Sequence, residues 1–174
     1  MATVTIGFSK SSSKFAPFSW IIKLVQGTPY SHAYLKIHRD DINRDVYYQA
    51  SHDLVNFMSS TQFNNEETII KEIDFEFTDS DKIKLSQFMY DQLGKPYAVS
   101  EILGLLCVVL CAKIGIKIQN PVQDGTSQFY CSELVSYFLS QCDGITLPKD
   151  LADMTPKDLY EFVQTLPKSL KLKT

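Results

Sequence analysis

Two β-prone runs, Ser31–His38 and Asp45–Ser51, flank the polar segment Arg39–Arg44. So short a connection joins neighbouring antiparallel strands, because a parallel pair needs a crossover of about a dozen residues or more. This hairpin therefore excludes a sheet built only of βαβ units. The rest of the chain agrees. Residues 3–8 alternate β-branched positions and read as a first strand, and Thr68–Phe77 nearly keeps a period of two through Ile69, Ile73, Phe75 and Phe77. Helical spacing predicts Phe18–Val25, ended by Gly27 and Pro29. It also predicts Asp79–Leu93, stopped by Gly94 and Pro96, and the apolar stretch Ser100–Ile116. Tyr130–Cys142 turns Leu134, Val135, Phe138 and Leu139 inward, and Thr155-Pro156 caps a last helix through Val163. Ser9–Lys14 and Asn120–Gln128 read as loops. The expected class is α+β, with one domain over residues 1–166 and a frayed basic tail at 167–174.

Composition narrows the function. The chain has 174 residues, 44% hydrophobic and 12% aromatic, with a net charge of −3, which suits a folded core rather than disorder. A pI near 5.6 gives no basic footprint for nucleic acid. Residues 1–8 lack the charged and apolar regions of a secretory signal, so a cytoplasmic location is expected, although a phage- or host-delivered protein would read the same. Under that expectation the four cysteines are free thiols. The run Ile102–Ala112, continuing past Lys113 to Ile118, is shorter than the roughly 20 residues that span a bilayer. It reads as a buried core helix, with membrane contact through 102–118 as the less favoured alternative. Cys107 and Cys111 then read as small buried hydrophobes rather than metal ligands. No metal or organic cofactor is expected.

The chemistry concentrates in few residues. Of three histidines, His32 lies in the hairpin, while His38 at the turn reads as solvated. Cys131 opens a helix, where the macrodipole favours thiolate over thiol. A strand histidine facing such a cysteine is the arrangement of a papain-like thiol hydrolase. The Cys131 backbone N–H is a natural oxyanion donor. Glu133 reads as helix-start electrostatics, and Asp79 and Asp81 as helix initiation. Tyr47 and Tyr48 read as packing residues.

Local strings carry a resemblance. Ser31-His32-Ala33-Tyr34-Leu35, Val46-Tyr47-Tyr48-Gln49-Ala50, Gly94-Lys95-Pro96-Tyr97, Phe129-Tyr130-Cys131-Ser132-Glu133-Leu134-Val135 and Thr155-Pro156-Lys157-Asp158-Leu159 occur in this order. Together they resemble the circularly permuted branch of the NlpC superfamily, which includes YiiX-like hydrolases and relatives of lecithin:retinol acyltransferase. The resemblance implies a permuted papain-like fold whose antiparallel sheet packs against the nucleophile helix. It implies Cys131 as nucleophile, His32 as general base, Gln49 as the third polar residue, and Tyr97 and Tyr130 lining the site. A turn centred on Asp41–Ile42 puts Tyr34 opposite Gln49 and makes Gln49 the diagonal neighbour of His32. His52 is the alternative orienting group. The implied activity is that of a cysteine peptidase, amidase, acyl hydrolase or acyltransferase on a peptide, isopeptide or lipid-like acyl group. Two positions depart from the family: Gln49 is neutral where Glu is common, and Ala98 stands where Asp is common. A catalytically silent binding module for a peptide or lipid-like ligand is the alternative.

Overall fold

The structure, a computed structural model, describes residues 2–13, 17–51, 53–118 and 127–173. Its centre is a five-stranded sheet of β1 (Ala2–Ser11), β2 (His32–Arg39), β3 (Arg44–Ser51), β4 (Leu54–Ser59) and β5 (Glu67–Phe77). The order is β4-β3-β2-β1-β5, and every neighbouring pair is antiparallel. The class is thus α+β, as the hairpin predicts. The turn centres on Asp41–Ile42: Leu35 pairs with Tyr48 and Arg39 with Arg44, with Asn43 in the left-handed region that Asn tolerates.

Period-two alternation gives the sheet two unlike faces. Val4, Ile6, Phe8, Ala33, Leu35, Tyr48 and Ala50 enter the main core, shared with Leu134, Val135 and Phe138 of α5 (Cys131–Ser140) and Leu159 and Val163 of α6 (Pro156–Val163). The opposite face holds a smaller aromatic cluster of Tyr34, Tyr47, Met58 and Phe63. Phe63 arrives on α2 (Ser60–Glu66), whose start is capped by the Ser59 hydroxyl. The other α-helices among the described residues are α1 (Pro17–Gln26), α3 (Asp81–Gln92) and α4 (Val99–Lys113), with one short 3-10 turn at Leu151–Asp153.

Three expectations change. β4 and α2 were not foreseen: Leu-Val-Asn-Phe-Met-Ser shows no clean alternation, and α2 is a short helix of poor formers held by its cap and by Phe63. The tail is not frayed. Glu76 N–H donates to Lys168 O, Leu170 N–H to Glu76 O, Asp143 N–H to Lys171 O and Lys173 N–H to Gln141 O, while Leu170 and Leu172 are buried. The alternation Leu170-Lys171-Leu172-Lys173 is a strand-like signal: the leucines go in and the lysines out. Asp81 starts α3 as expected, accepting from the Thr78 N–H and hydroxyl, and it also accepts from Leu172 N–H, pinning the tail. Finally, α4 is buried only along Glu101, Ile102, Gly104, Leu105 and Leu106. Cys107 is exposed and Cys111 half-buried, so neither is the core hydrophobe expected from the apolar sequence. Among the described residues, no helix is long and apolar enough to cross a membrane.

Candidate functional site

His32 opens β2 on the face that also carries Tyr34 and Lys36, opposite Ser9 of β1. Its Nε2–H donates to Gln49 Oε1 at 2.7 Å, since a Gln carbonyl only accepts. Gln49 is itself buried, and its amide nitrogen donates to Met58 Sδ at 3.6 Å. The diagonal contact is the one the Asp41–Ile42 register predicts. With Nε2 engaged, the remaining ring nitrogen is left for the hydrogen bond between His32 and Cys131.

Cys131 is brought there by α5, which packs across β2 and β3. Pairing between β2 and β3 runs only as far as Leu35–Tyr48, so the first residues of β2 are free for other partners. Cys131 Sγ lies 3.9 Å from Ser31 O, and the backbone N–H groups of Ala33 and Ser132 favour the sulfur's anionic form. Burial alone pushes the Cys131 thiol up. The His32 hydrogen bond and charge, with those N–H groups, more than offset it and hold the thiol below its ordinary value. Burial would likewise lower His32, but the facing sulfur, the Glu67 carboxylate and Gln49 raise it to about 9. Both shifts favour one species, a thiolate–imidazolium pair.

Tyr97 is half-buried and its hydroxyl hydrogen-bonds the Cys131 sulfur; burial and the sulfur's charge keep that phenol protonated, so it donates. Tyr130 differs from expectation. It precedes Cys131, but its ring is fully buried among Ile22, Val25, Ile102 and Leu105, and its hydroxyl donates to Leu151 O and Met154 O. Tyr130 is thus a structural anchor of the helix start, because its aromatic bulk is satisfied by packing. His52 lies outside the described residues. His38 is half-exposed at the far end of β2, with Nδ1 on Asp45 Oδ1 at 2.8 Å. There, a groove of about 890 Å³ runs between the hairpin tip and Met89 and Tyr90 of α3; none of its lining residues belongs to the cysteine site.

Two features escape sequence reasoning. Glu67 reaches the His32 neighbourhood because β1 sits between β2 and β5, and Ser9, the partner of His32, donates to Glu67 Oε2 at 2.7 Å beside a register shift in β1–β5. The second is a pair of buried carboxyls, Glu133 of α5 and Glu101 of α4, hydrogen-bonded to each other. Glu133 also accepts from the Tyr130 N–H at 3.4 Å, which is the helix-start role foreseen for it. Burial first, and the Glu101 carboxylate second, push Glu133 up to about 9.

This pair has a testable consequence. An unfolded Glu ionises near 4.5, whereas native Glu133 keeps its proton up to about 9. The native state therefore binds the extra proton across that window, and stability falls as pH rises through it. Glu101→Gln removes one charge, yet its amide oxygen can still accept from the protonated Glu133. Its melting temperature is expected to fall less between pH 5 and 8.5 than that of the unmodified protein, by about 5 °C. Parallel melting curves would show that the two carboxyls do not share a proton.

Among the described residues no His/Cys/Asp/Glu group has the arrangement of a metal site. Scans against protein-family models and against curated proteins return no match.

Proposed function

We propose that the chain is a cysteine hydrolase or acyltransferase with a permuted papain-like, NlpC-type fold. The observation that carries this reading is the chain of contacts Gln49–His32–Cys131, ending on a sulfur at a helix N-terminus. In the proposed cycle the Cys131 thiolate attacks an amide or ester carbonyl. The developing oxyanion meets the Cys131 N–H, one of the first-turn donors with no intrahelical acceptor. The His32 imidazolium gives its proton to the leaving nitrogen or oxygen as the carbonyl–heteroatom bond breaks, leaving a thioester. Water or an acceptor then attacks the thioester, His32 takes its proton, and the sulfur leaves as thiolate. Because both shifts favour the ion pair, His32 enters this cycle as an acid and acts as a base only in the second half. Tyr97 holds the sulfur through its hydroxyl and borders the approach of the acyl group. Peptide, isopeptide and lipid-like acyl groups all satisfy this chemistry.

The test uses p-nitrophenyl acetate as an activated ester. A burst of nitrophenol, with an acetyl thioester on Cys131 that hydroxylamine removes, is the expected result; Cys131→Ala gives neither. One observation favours the second reading, a silent module binding a peptide or lipid-like ligand: Cys131 is only 1% exposed. Absence of both burst and adduct in a folded protein would establish that reading over catalysis.

A further inference from the structure

From Ile102 to Ala112 every residue of α4 is apolar or glycine, yet only one side of the helix is covered. Ile102, Leu105 and Leu106 pack against Ile22 and Val25 of α1. On the other side Leu103, Cys107, Leu110 and Ile114 are exposed, Leu110 by 49% and Ile114 by 73%. Their spacing of four, three and four places them on one stripe. The neighbouring α1 adds Trp20 and Leu24, 62% and 61% exposed and one turn apart. A helix that is hydrophobic all round is normally covered all round, so among the described residues this face lacks its partner.

Charge indicates what that partner is. The chain carries 20 acidic residues and a net charge of −3, yet residues 1–39 and 102–123 contain no Asp or Glu. The charges flanking the apolar stretch are Lys23 on α1 and Lys113 and Lys117 at and just beyond the end of α4, the last two exposed beside Ile114. Glu101 of α4 is buried. We propose that the outer face of α1 and α4 docks on the surface of a membrane containing anionic lipid. The apolar stripe enters the headgroup–acyl boundary, Trp20 sits at the interface, and the lysines meet lipid phosphates. α4 has 15 residues and is too short to cross, so it lies in the plane of the surface. A second copy of the chain fits less well, because a two-fold contact across this face would bring lysines against lysines. The proposal is independent of any reaction at Cys131.

Trp20 is the chain's single tryptophan, so its emission reports the face directly. The intact protein is titrated with vesicles of phosphatidylcholine alone and of an equimolar phosphatidylcholine–phosphatidylglycerol mixture. A blue shift is expected, with affinity at least about tenfold higher for the mixed vesicles and falling as salt is added. Leu103→Glu with Leu110→Glu alters only exposed positions, which circular dichroism verifies. That variant should lose at least about tenfold in affinity. Lys113→Glu with Lys117→Glu should keep the fold and lose the preference for phosphatidylglycerol. Unchanged Trp20 emission with both vesicles overturns the proposal, as does equal binding by the Leu103/Leu110 variant. A blue shift that grows with protein concentration in the absence of lipid would assign the face to a second copy instead.

Discussion

Replacing His32 by Ala should slow alkylation of Cys131 by iodoacetamide at pH 6.5 by about a hundredfold or more. Each unit of thiol pKa below the usual range is about a tenfold change in thiolate fraction near neutrality. Two opposed forces set the native value. Burial drives the thiol up, and the His32 hydrogen bond and charge bring it back below the ordinary value. Removing the imidazole takes away the His32 hydrogen bond and charge, so burial pushes the thiol back up. The pH profile carries the sign. Native Cys131 should keep its reactivity to lower pH than an ordinary thiol and lose it as the ion pair protonates. In the proposed cycle the imidazolium is the proton donor, so turnover should fall again as pH rises through about 9. Gln49→Ala should act in the same direction by about tenfold, since Gln49 orients the ring and adds little charge stabilisation.

Two internal controls make the experiment decisive. Cys142 is fully buried and its thiol is pushed up to about 12 by burial and the nearby Asp81, so it should stay inert. Cys107 is exposed, and its rate should not depend on His32. Because Cys131 is itself shielded, thiolate ultraviolet absorbance gives a readout that reagent access does not limit. Equal Cys131 absorbance profiles in the native and His32→Ala proteins would remove the ion pair from the account.

The second large effect is structural. Gly7 of β1 pairs with Tyr34 of β2, and a Cβ added at Gly7 would overlap the Tyr34 ring and its hydroxyl. The ring cannot retreat: it is fully buried, 4.6 Å from Phe63 and 5.3 Å from Tyr47 between ring centres, with its hydroxyl donating to Glu72 at 2.9 Å. Gly7→Ala should therefore destabilise the fold by about 3 kcal/mol or more, read as a lower urea midpoint at unchanged slope. A double-mutant cycle identifies the cause, because in a Tyr34→Ala background the same substitution should cost little. Full cost in both backgrounds would place the strain elsewhere. Tyr34 also stacks on His32 with ring centroids 6.4 Å apart, so a Gly7→Ala protein that still folds should alkylate Cys131 more slowly.

Much of this arrangement is local and was readable in the chain. A period of two fixes which residues share a strand face, and a short polar turn fixes the register, so the His32–Gln49 contact follows from positions 31–51 alone. Thr155-Pro156 announces its helix because the cap and the proline act within one turn: the Thr155 hydroxyl accepts from Asp158 N–H, and Asp158 bonds back. The edge strand Leu54–Ser59 and helix Ser60–Glu66 were silent because neighbouring strands and Phe63, not their own propensities, hold them.

Other features exist only in three dimensions. One hundred residues separate Cys131 from the Ser31 carbonyl it touches, and no spacing rule spans that distance. Residue types at 32 and 131 suggested a partnership, but the contact itself depends on where β2 stops pairing with β3 and where α5 begins. The Glu101–Glu133 pair is likewise made by two helices crossing. The same limit explains the reversal at α4. Hydrophobic sequence states that a surface favours leaving water; it does not state what will cover it. Tertiary packing buried Ile102, Leu105 and Leu106 and left Leu103, Leu110 and Ile114 facing outward. The local chemistry of this protein was therefore set by its sequence, while the meeting of Cys131 with His32, and the exposure of its most apolar helix, were decided by long-range packing.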